Sequence, residues 1–302
     1  MRAATIAHAT AALATAALGC VFASGASAAG MVPQKPYDTA GSFAACEQRY
    51  ADIGLPKMKE DGSGQEPVPV CNADYAVSFN TAYREPDWVI ERLPGNWVTG
   101  KAQRKDNFTA DPRVNAVVDK SSATNGDYPG KKIKYDKGHQ APAGDFKYNQ
   151  TETDHSFWFT NMAPQIGAGF NRNIWKQLET DIRDWVACGG RAELYVVTGP
   201  VFDPDKPEHW IPDSGNRRVR VPDGFFKVIY DPAHDRALGM LLPNAKLNTK
   251  DLPKYAVAIS EIEDKTGIVF FPAFTVRHNN VLKDNASPYW RADENCEADV
   301  GE

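Results

Sequence analysis

The feature that most constrains the fold of this chain is a succession of strand-like runs interrupted by two stretches with helical periodicity. The runs are rich in β-branched and aromatic residues and bounded by turn formers; they span 75–79, 88–91, 191–198, 225–230 and 238–242. Strands and helices do not alternate regularly, which disfavours a doubly wound parallel sheet. The pattern predicts an α+β fold with a largely antiparallel central sheet flanked by helices.

Two helices are predicted from apolar periodicity and stop signals. The longer spans 171–187, where Asn171 is placed to cap the N-terminus and Gly189–Gly190 supplies the stop. The shorter spans 260–265, where a Ser-x-x-Glu spacing is typical of a capping box and Gly267 follows.

The first 30 residues carry the marks of an export signal. Arg2 precedes an apolar run of small residues, and Ala26–Ala28 is typical of a signal-peptidase site. We therefore expect a signal peptide over 1–28 and a secreted or periplasmic mature chain. Cys20 ends an Ala-Leu-Gly-Cys sequence, which leaves lipoprotein anchoring as an alternative. No other run reaches the ~18 apolar residues of a membrane span.

The remaining chain divides near residue 70. Residues 29–70 are rich in Pro, Gly and polar residues, which predicts an irregular N-terminal arm. Residues 71–302 show no internal repeat and are predicted to form a single domain. Within them, the polar segment 103–130 is predicted to be a long surface segment.

Cysteine usage agrees with export. Without Cys20, four cysteines remain, Cys46, Cys71, Cys188 and Cys296, an even number that suits an oxidising compartment. Of the three possible pairings we favour Cys46–Cys71, which closes a local loop, with Cys188–Cys296. A zinc site is disfavoured because no C-x-x-C or Cys/His spacing supports it.

The charge balance limits how the chain could bind a polyanion. Lys plus Arg is 34 and Asp plus Glu is 39, a formal net charge of −5. Proteins that bind nucleic acid by overall neutralisation are basic, so such a partner requires a local basic patch. Two basic runs are candidates: Lys131, Lys132, Lys134 and Lys137, and then Arg217, Arg218 and Arg220.

Three short blocks hold the candidate chemistry. They are Asp-Lys-Gly-His-Gln-Ala-Pro at 136–142, Thr-Asn-Met-Ala-Pro-Gln at 160–165, and Asn171 with Trp175, Leu178, Glu179 and Arg183. His139 is the natural general base, since a neutral imidazole with a pKa near ~6.5 accepts a proton at neutral pH. Glu179 and Arg183 are four residues apart on the predicted helix, so they can pair or face one site together.

These blocks make the chain similar to the DNA/RNA non-specific endonucleases, the ββα-metal nuclease family. The family signature reads D-R-G-H-Q-A-P, T-N-x-x-P-Q and N-x-x-x-W-x-x-L-E. Further matches follow in order at 195–202, 221–229 and 266–272, so the resemblance covers roughly 97–275. It implies a ββα-metal fold, hydrolysis of phosphodiester bonds of DNA and RNA to 5′-phosphate products, and a Mg²⁺ cofactor with Mn²⁺ as the alternative.

The resemblance also assigns roles within the third block and to the histidine. His139 would act as general base, and Asn171 would be the protein side chain bound to the metal. Glu179 would hold metal-bound waters, and Arg183 would clamp the transition state. A neutral amide ligand is chemically sensible, because Mg²⁺ keeps several waters and shares oxygens with a phosphate substrate.

The resemblance implies that other residues would orient the site or neutralise the charge of the phosphate. Asp136 and Asn161 would orient the histidine loop and the metal helix. Lys137 stands where most family members carry Arg, so it keeps the charge but loses the bidentate fork. Lys132 and Lys134 lie in the basic run beside His139 and are expected to follow the substrate backbone.

A basic residue upstream completes the expected set. In the family it contacts phosphate near an Asp-Pro pair, which Asp111–Pro112 matches here. The equivalent position is ambiguous among Arg104, Lys105 and Asp106, and we favour Arg104.

Other interpretations stand beside the enzyme. His139 could be an ordinary loop residue, Asn171 only a helix cap, and Glu179 with Arg183 a solvated surface pair. At the level of function, the alternatives are a non-catalytic secreted module that binds nucleic acid and a phosphodiesterase for small phosphate esters. The enzyme interpretation requires His139 and Asn171 to converge on one hydrated cation.

Overall fold

Eight strands form one sheet in which all neighbours pair antiparallel, as predicted. In chain order the strands of the described residues are β1 (Thr39–Ala40), β2 (Lys57–Met58), β3 (Val68–Cys71), β4 (Tyr75–Asn80), β5 (Glu85–Pro94), β6 (Tyr135–His139), β7 (Met162–Ile166), β8 (Glu193–Val201), β9 (Trp210–Ile211), β10 (Val219–Arg220), β11 (Gly224–Asp231), β12 (Arg236–Pro243), β13 (Ala256–Val257) and β14 (Ile268–Val269). The central sheet has the order β1-β3-β4-β5-β8-β11-β12-β13, and the pairs β9–β10, β2–β14 and β6–β7 form separate ribbons.

The computed structural model describes Met1 and residues 39–59, 67–117, 123–128, 134–189, 191–211 and 219–290. The described elements belong to one unit, residues 35–302. The predicted signal peptide and several singled-out residues lie outside the described residues: Cys20, Lys131, Lys132, Arg217, Arg218 and Cys296.

Helices cover the sheet and connect its strands. The α-helices of the described residues are α1 (Gly95–Val98), α2 (Pro112–Val117), α3 (Gln150–His155), α4 (Lys176–Ala187), α5 (Ile259–Thr266) and α6 (Val276–Lys283), with 3-10 turns at Glu47–Tyr50, Asn125–Asp127, Ala143–Phe146, Phe159–Asn161 and Thr249–Tyr255. None of the described helices has the length and apolar character of a membrane span.

The sheet is buried on both faces. Successive side chains of a strand point to opposite faces, so Leu194 and Val196 of β8 join the core cluster that contains α4, whereas Tyr195 and Val197 join the cluster that contains α5. This explains why the central strands β8 and β11 read as nearly continuous apolar runs.

The predicted long helix is two segments. Gly167–Trp175 forms wide helical turns with non-helical backbone at Ala168 and Gly169, and regular α-helix begins at Lys176 as α4. Asn171 lies in the wide turns and does not cap a helix: its side-chain nitrogen donates to Asp136 instead. The capping prediction is therefore wrong, and the amide is directed toward the β6–β7 ribbon.

The second predicted helix is present, but its start was misread. α5 ends at Gly267, whose φ of 69° is the left-handed conformation that suits glycine. The predicted capping box is wrong, since Ala258 is the N-cap and Ser260 donates its hydroxyl to the Lys283 carbonyl. Glu263 accepts from the backbone of Phe270.

The N-terminal arm is part of the fold, and its predicted boundary is wrong. A division after residue 70 cuts β3. This strand belongs to the central sheet, and its Val68 and Val70 are buried. Tyr50 is fully buried and donates its hydroxyl to the Ile90 carbonyl.

Three of the four cysteines of the mature chain lie in the described residues, and all three are disulfide-bonded. The Cys46–Cys71 disulfide is present, as predicted, and ties the arm to β3. Cys188 is disulfide-bonded as well. Its predicted partner, Cys296, lies outside the described residues, so that pairing stays a prediction.

The segment 103–130 is more than a surface loop. Phe108 and Tyr128 line a cleft, and Asp111 and Asp127 are buried. The prediction of a surface segment holds for residues 103–107, which are exposed, and is wrong for the buried residues near its middle and end. Each buried carboxylate has a partner: Thr160 donates to Asp111, and Arg84 forms an ion pair with Asp127.

Candidate active site

One cleft, of about 820 Å³, lies between the β6–β7 ribbon, the 104–108 segment and the start of α4. Its lining includes most of the residues singled out from the sequence: Arg104, Asp136, Lys137, His139, Asn171, Glu179 and Arg183. Asn161 and Lys134 do not line it. Residues from separate sequence blocks thus meet at one surface.

The β6–β7 ribbon positions His139. The two strands pair antiparallel, with His139 opposite Met162 and Gly138 opposite Ala163. A Cβ atom on Gly138 would come closer than 3.0 Å to the side chain of Gln165, which is fully buried against this strand. The glycine before the histidine and the glutamine that ends the second block are therefore one packing unit.

His139 lies in an aromatic setting. Its ring is 4.7 Å from that of Phe157 and 5.7 Å from that of Phe108, and only 7% of its surface is exposed. Burial lowers the pKa of the imidazole well below its usual value, and the Arg104 charge lowers it further. Its Nε2 has no hydrogen-bond partner among the described residues. The imidazole is therefore neutral at pH 7.

Asn161 holds the loop that follows His139. It is fully buried, accepts from the backbone N–H of Ala141, and donates to the carbonyls of Ala141 and Ser156. The neighbouring Thr160 donates to Asp111. Asn161 therefore acts behind the cleft, as an anchor of the histidine loop, and does not face a substrate.

Asn171 and Arg172 both bind Asp136. Asp136 Oδ2 accepts from Asn171 Nδ2 at 3.0 Å and from Arg172 Nε at 2.7 Å. Its Oδ1 accepts from Arg172 Nη2 at 2.5 Å. Arg172 lines the cleft and was missed by the sequence reasoning, which took no signal from the residue next to Asn171.

Arg183 is not half of a surface pair. It is only 4% exposed, and its guanidinium donates to Asp145 Oδ1 at 3.0 Å and to Thr180 Oγ1 at 3.1 Å. A Cβ on Gly144 would lie 3.0 Å from Arg183 Nη1, so glycine there leaves room for the guanidinium. The surface-pair interpretation is wrong.

A buried group of ionisable side chains lies behind Glu179. Burial raises the pKa of Glu179 to about 7, although the Lys227 and Arg183 charges oppose the shift. Lys227 is almost fully buried, and its ammonium donates to Thr198 Oγ1 and to the Gln140 carbonyl. Burial lowers the pKa of Lys227, which the carboxyls of Glu179 and Glu91 oppose.

These buried charges were missed, although a signal existed. Lys227 and Glu91 stand inside apolar strands, β11 and β5, where a charge is costly unless it is paired. Lys227 also fixes the carbonyl next to His139, and so joins the sheet to the histidine loop.

The favoured upstream cation, Arg104, lies at the cleft, as does Asp106, and its contact with phosphate stays a prediction. Arg104 lines the cleft, with its guanidinium 5.0 Å from the Phe157 ring centre and its Nε 2.8 Å from Asp106. Lys105 does not line the cleft and pairs with Asp154. Lys137 does line it, with its ammonium 4.3 Å from the Phe108 ring centre.

The donor set fits a small divalent cation. Asn171 and Glu179 bring an amide oxygen and a carboxylate to the same cleft, and Mg²⁺ binds oxygen donors of this kind while it keeps several waters. Asn171 Nδ2 donates its hydrogen bond to Asp136, so the amide oxygen is the end that remains available to a cation.

Lys134 lies beside the cleft, 5.2 Å from the ring centre of Tyr135, which does line it.

Comparisons with known proteins find matches over most of the chain. The sequence model described as DNA/RNA non-specific endonuclease matches residues 55–276. Nuclease C1 of Cunninghamella echinulata var. echinulata is 35% identical over 215 residues, 67% of this chain and 82% of that protein. Mitochondrial endonuclease G of Homo sapiens is 30% identical over 237 residues, 75% and 74%. A crystal structure of the EndoG/EndoGI complex matches with a TM-score of 0.63 at 27% identity, over 76% of this chain and 93% of that one.

Proposed function

Because the chain belongs to the DNA/RNA non-specific endonuclease family, we propose that it is a secreted, Mg²⁺-dependent endonuclease that cuts DNA and RNA and leaves 5′-phosphate ends. The observation that carries the proposal is the meeting of His139 and Asn171 on the wall of one cleft. The first has a neutral imidazole, and the second accepts no hydrogen bond on its amide oxygen from the described residues.

His139 takes the proton from the attacking water. Because its burial and the Arg104 charge favour the neutral imidazole, a ring nitrogen is ready to accept a proton at neutral pH. The water oxygen bonds to phosphorus, the P–O3′ bond breaks, and the 3′-oxygen leaves and gains a proton. The 5′-phosphate product follows from breaking that bond.

Asn171 and Glu179 would hold the cation, Asn171 directly and Glu179 through water. When bound, Mg²⁺ would supply positive charge to the scissile phosphate and to the leaving oxygen. Asp136 orients the Asn171 amide through their hydrogen bond.

Three cationic side chains offset the charge that develops on the phosphate. Arg183 is held in place by Asp145, so its guanidinium reaches the transition state preorganised. Lys137 and Arg104 border the same cleft and face the backbone of the nucleic acid. Lys134, beside the cleft, extends this basic surface, and Lys132, which lies outside the described residues, is expected to contact the substrate backbone too.

Binding is expected to depend on the backbone rather than on base identity. The formal net charge of −5 confines attraction to the cleft, and phosphate contacts give strong salt dependence with little sequence readout. Export is supported by the predicted signal peptide and by the Cys46–Cys71 disulfide, because such bonds persist in oxidising compartments.

The test is cleavage by the mature chain of two substrates, supercoiled plasmid and total RNA. We expect both to be degraded with Mg²⁺, cleavage to stop with chelator and to return with added Mg²⁺, and the new ends to require phosphatase before kinase labelling. The Asn171→Ala variant should lose activity and metal binding together.

Two results would contradict the proposal. Binding of both nucleic acids without cleavage in any metal would identify a non-catalytic module. Hydrolysis of bis(p-nitrophenyl) phosphate with an intact plasmid would identify a phosphodiesterase of small esters.

A further inference from the structure

Asp136 fixes which end of the Asn171 amide is free. Its carboxylate can only accept hydrogen bonds, so the 3.0 Å contact must be made by the amide nitrogen. The amide oxygen is bonded to the same carbon and points the other way. This arrangement places an anionic carboxylate next to a neutral metal ligand.

Arg172 occupies both oxygens of that carboxylate. Its Nε and Nη2 lie 2.7 Å and 2.5 Å from Asp136 Oδ2 and Oδ1, the parallel two-bond geometry that a planar guanidinium favours. With the bond from Asn171, each Asp136 oxygen has at least one donor. An uncovered Asp136 would be a harder and more strongly charged ligand for a divalent cation than the amide beside it.

The absence of a side chain at Gly167 leaves room for Arg172 to pair with Asp136. A Cβ atom on Gly167 would lie 2.8 Å from Arg172 Nη2 and from both Asp136 oxygens, so a side chain there would separate the pair. Gly167 also donates its backbone N–H to the Lys134 carbonyl, which holds the wide turns against β6.

We propose that Arg172 masks Asp136, so that the cation is bound through the neutral Asn171 amide and keeps its full charge for the phosphate. The proposal rests on the proposed function in one respect, which is that Asn171 binds the cation. Arg172 is then a positioning residue that acts through Asp136. The alternative role of an exposed cleft arginine is direct contact with a phosphate.

The experiment measures Mn²⁺ binding to the mature chain without nucleic acid, by electron paramagnetic resonance of free Mn²⁺. Arg172→Ala should bind Mn²⁺ about 10-fold more tightly, because the freed carboxylate adds a charged oxygen ligand. At saturating Mn²⁺ its kcat should fall about 10-fold, since a carboxylate ligand removes positive charge from the phosphate. Asp136→Asn in the Arg172→Ala background should abolish the gain in affinity.

Lys176→Ala is the charge-matched control. Lys176 lines the same cleft, so its removal takes away one positive charge while Arg172 stays on both Asp136 oxygens, and we expect less than a twofold change in Mn²⁺ affinity. An equal gain in Lys176→Ala would overturn the proposal in favour of a general charge effect.

Two further outcomes separate the proposals. Unchanged Mn²⁺ affinity in Arg172→Ala, with a raised KM and a weaker salt dependence, would identify a phosphate contact and overturn the masking role. Wild-type Mn²⁺ binding by Asn171→Ala would instead refute the metal site of the proposed function.

Discussion

Replacement of Gly138 by alanine tests the packing that positions the histidine. The new Cβ would lie closer than 3.0 Å to the Cγ, Cδ and Oε1 of Gln165. Ordinary carbon contacts lie at about 3.5–4.0 Å, so the two must separate by more than about 0.5 Å. Gln165 is fully buried and has little room to retreat, so β6 must give way and His139 moves with it.

The expected effects follow from that displacement. Overpacking of a buried site costs about 1–3 kcal/mol, and a domain of 150–250 residues loses about 2–4 °C of Tm per kcal/mol. We therefore expect a Tm lower by about 2–12 °C. A misplacement of about 1 Å at a catalytic group costs roughly 100-fold, so kcat/KM should fall toward that value although the chain remains folded.

The assay is plasmid nicking at saturating Mg²⁺, with Tm from thermal unfolding. Gly126→Ala is the control, because among the described residues its Cβ would meet only Thr124 Oγ1, at 3.6 Å. Gly138→Ala/Gln165→Ala should recover at least 10-fold of the lost kcat/KM by restoring space. Wild-type activity in Gly138→Ala, or no recovery in the double variant, would refute the reasoning.

Three other predictions concern charge and covalent constraint. Burial raises the pKa of Glu179 to about 7, above the ~4.3 of an unfolded chain; between these values the folded state binds the extra proton, so this group lowers stability as the pH rises. At ~1.4 kcal/mol per pKa unit, Glu179→Gln in chelator should therefore melt above wild type at pH 8 by up to about 7–14 °C, a gap that closes toward pH 4, and an equal gap at both pH values would contradict this. Cys46→Ala/Cys71→Ala removes a link across a sequence separation of 25 residues and should lower the free energy of unfolding by about 3 kcal/mol, measured by urea unfolding without reductant. In reductant, which also opens the disulfide of Cys188, wild type and this variant should unfold alike. Lys137→Ala should reduce the slope of log kcat/KM against log[salt] by about 1, whereas Arg277→Ala, an exposed cation on α6, should leave the slope unchanged.

The parts of the fold that follow local rules were predictable from the sequence. The antiparallel sheet and the stop of α5 at Gly267 follow from strand patterning and from the left-handed conformation that glycine adopts. The family membership could be predicted from the spacing of the motifs, because these motifs form the β6–β7 ribbon and the wide turns that lead into α4.

The capping predictions were wrong because the side chains concerned bind partners far away in the chain. The Ser260 hydroxyl bonds to the Lys283 carbonyl rather than to its own helix, and Asn171 bonds to Asp136 rather than capping. Local spacing alone could not show either partner. The boundary at residue 70 failed because β3 is short, and its assignment as a strand needs β4 beside it.

The site was only partly predictable for the same reason. The cleft gathers residues that the motifs named, but Arg172 and Lys227 act through contacts with Asp136 and with the Gln140 carbonyl. Periodicity places Lys227 in a strand and Arg172 in a helix. It cannot show that Arg172 binds Asp136 of β6, or that Lys227 binds the carbonyl of Gln140, just after β6.

The most direct measurement of the central claim is kcat/KM for plasmid cleavage by His139→Ala at saturating Mg²⁺, with and without added imidazole. If a neutral imidazole takes the proton from water, the variant should lose about 10²–10⁴-fold, bind Mn²⁺ as wild type does, and regain part of its rate with free imidazole. Full Mg²⁺-dependent cleavage by His139→Ala would contradict the account.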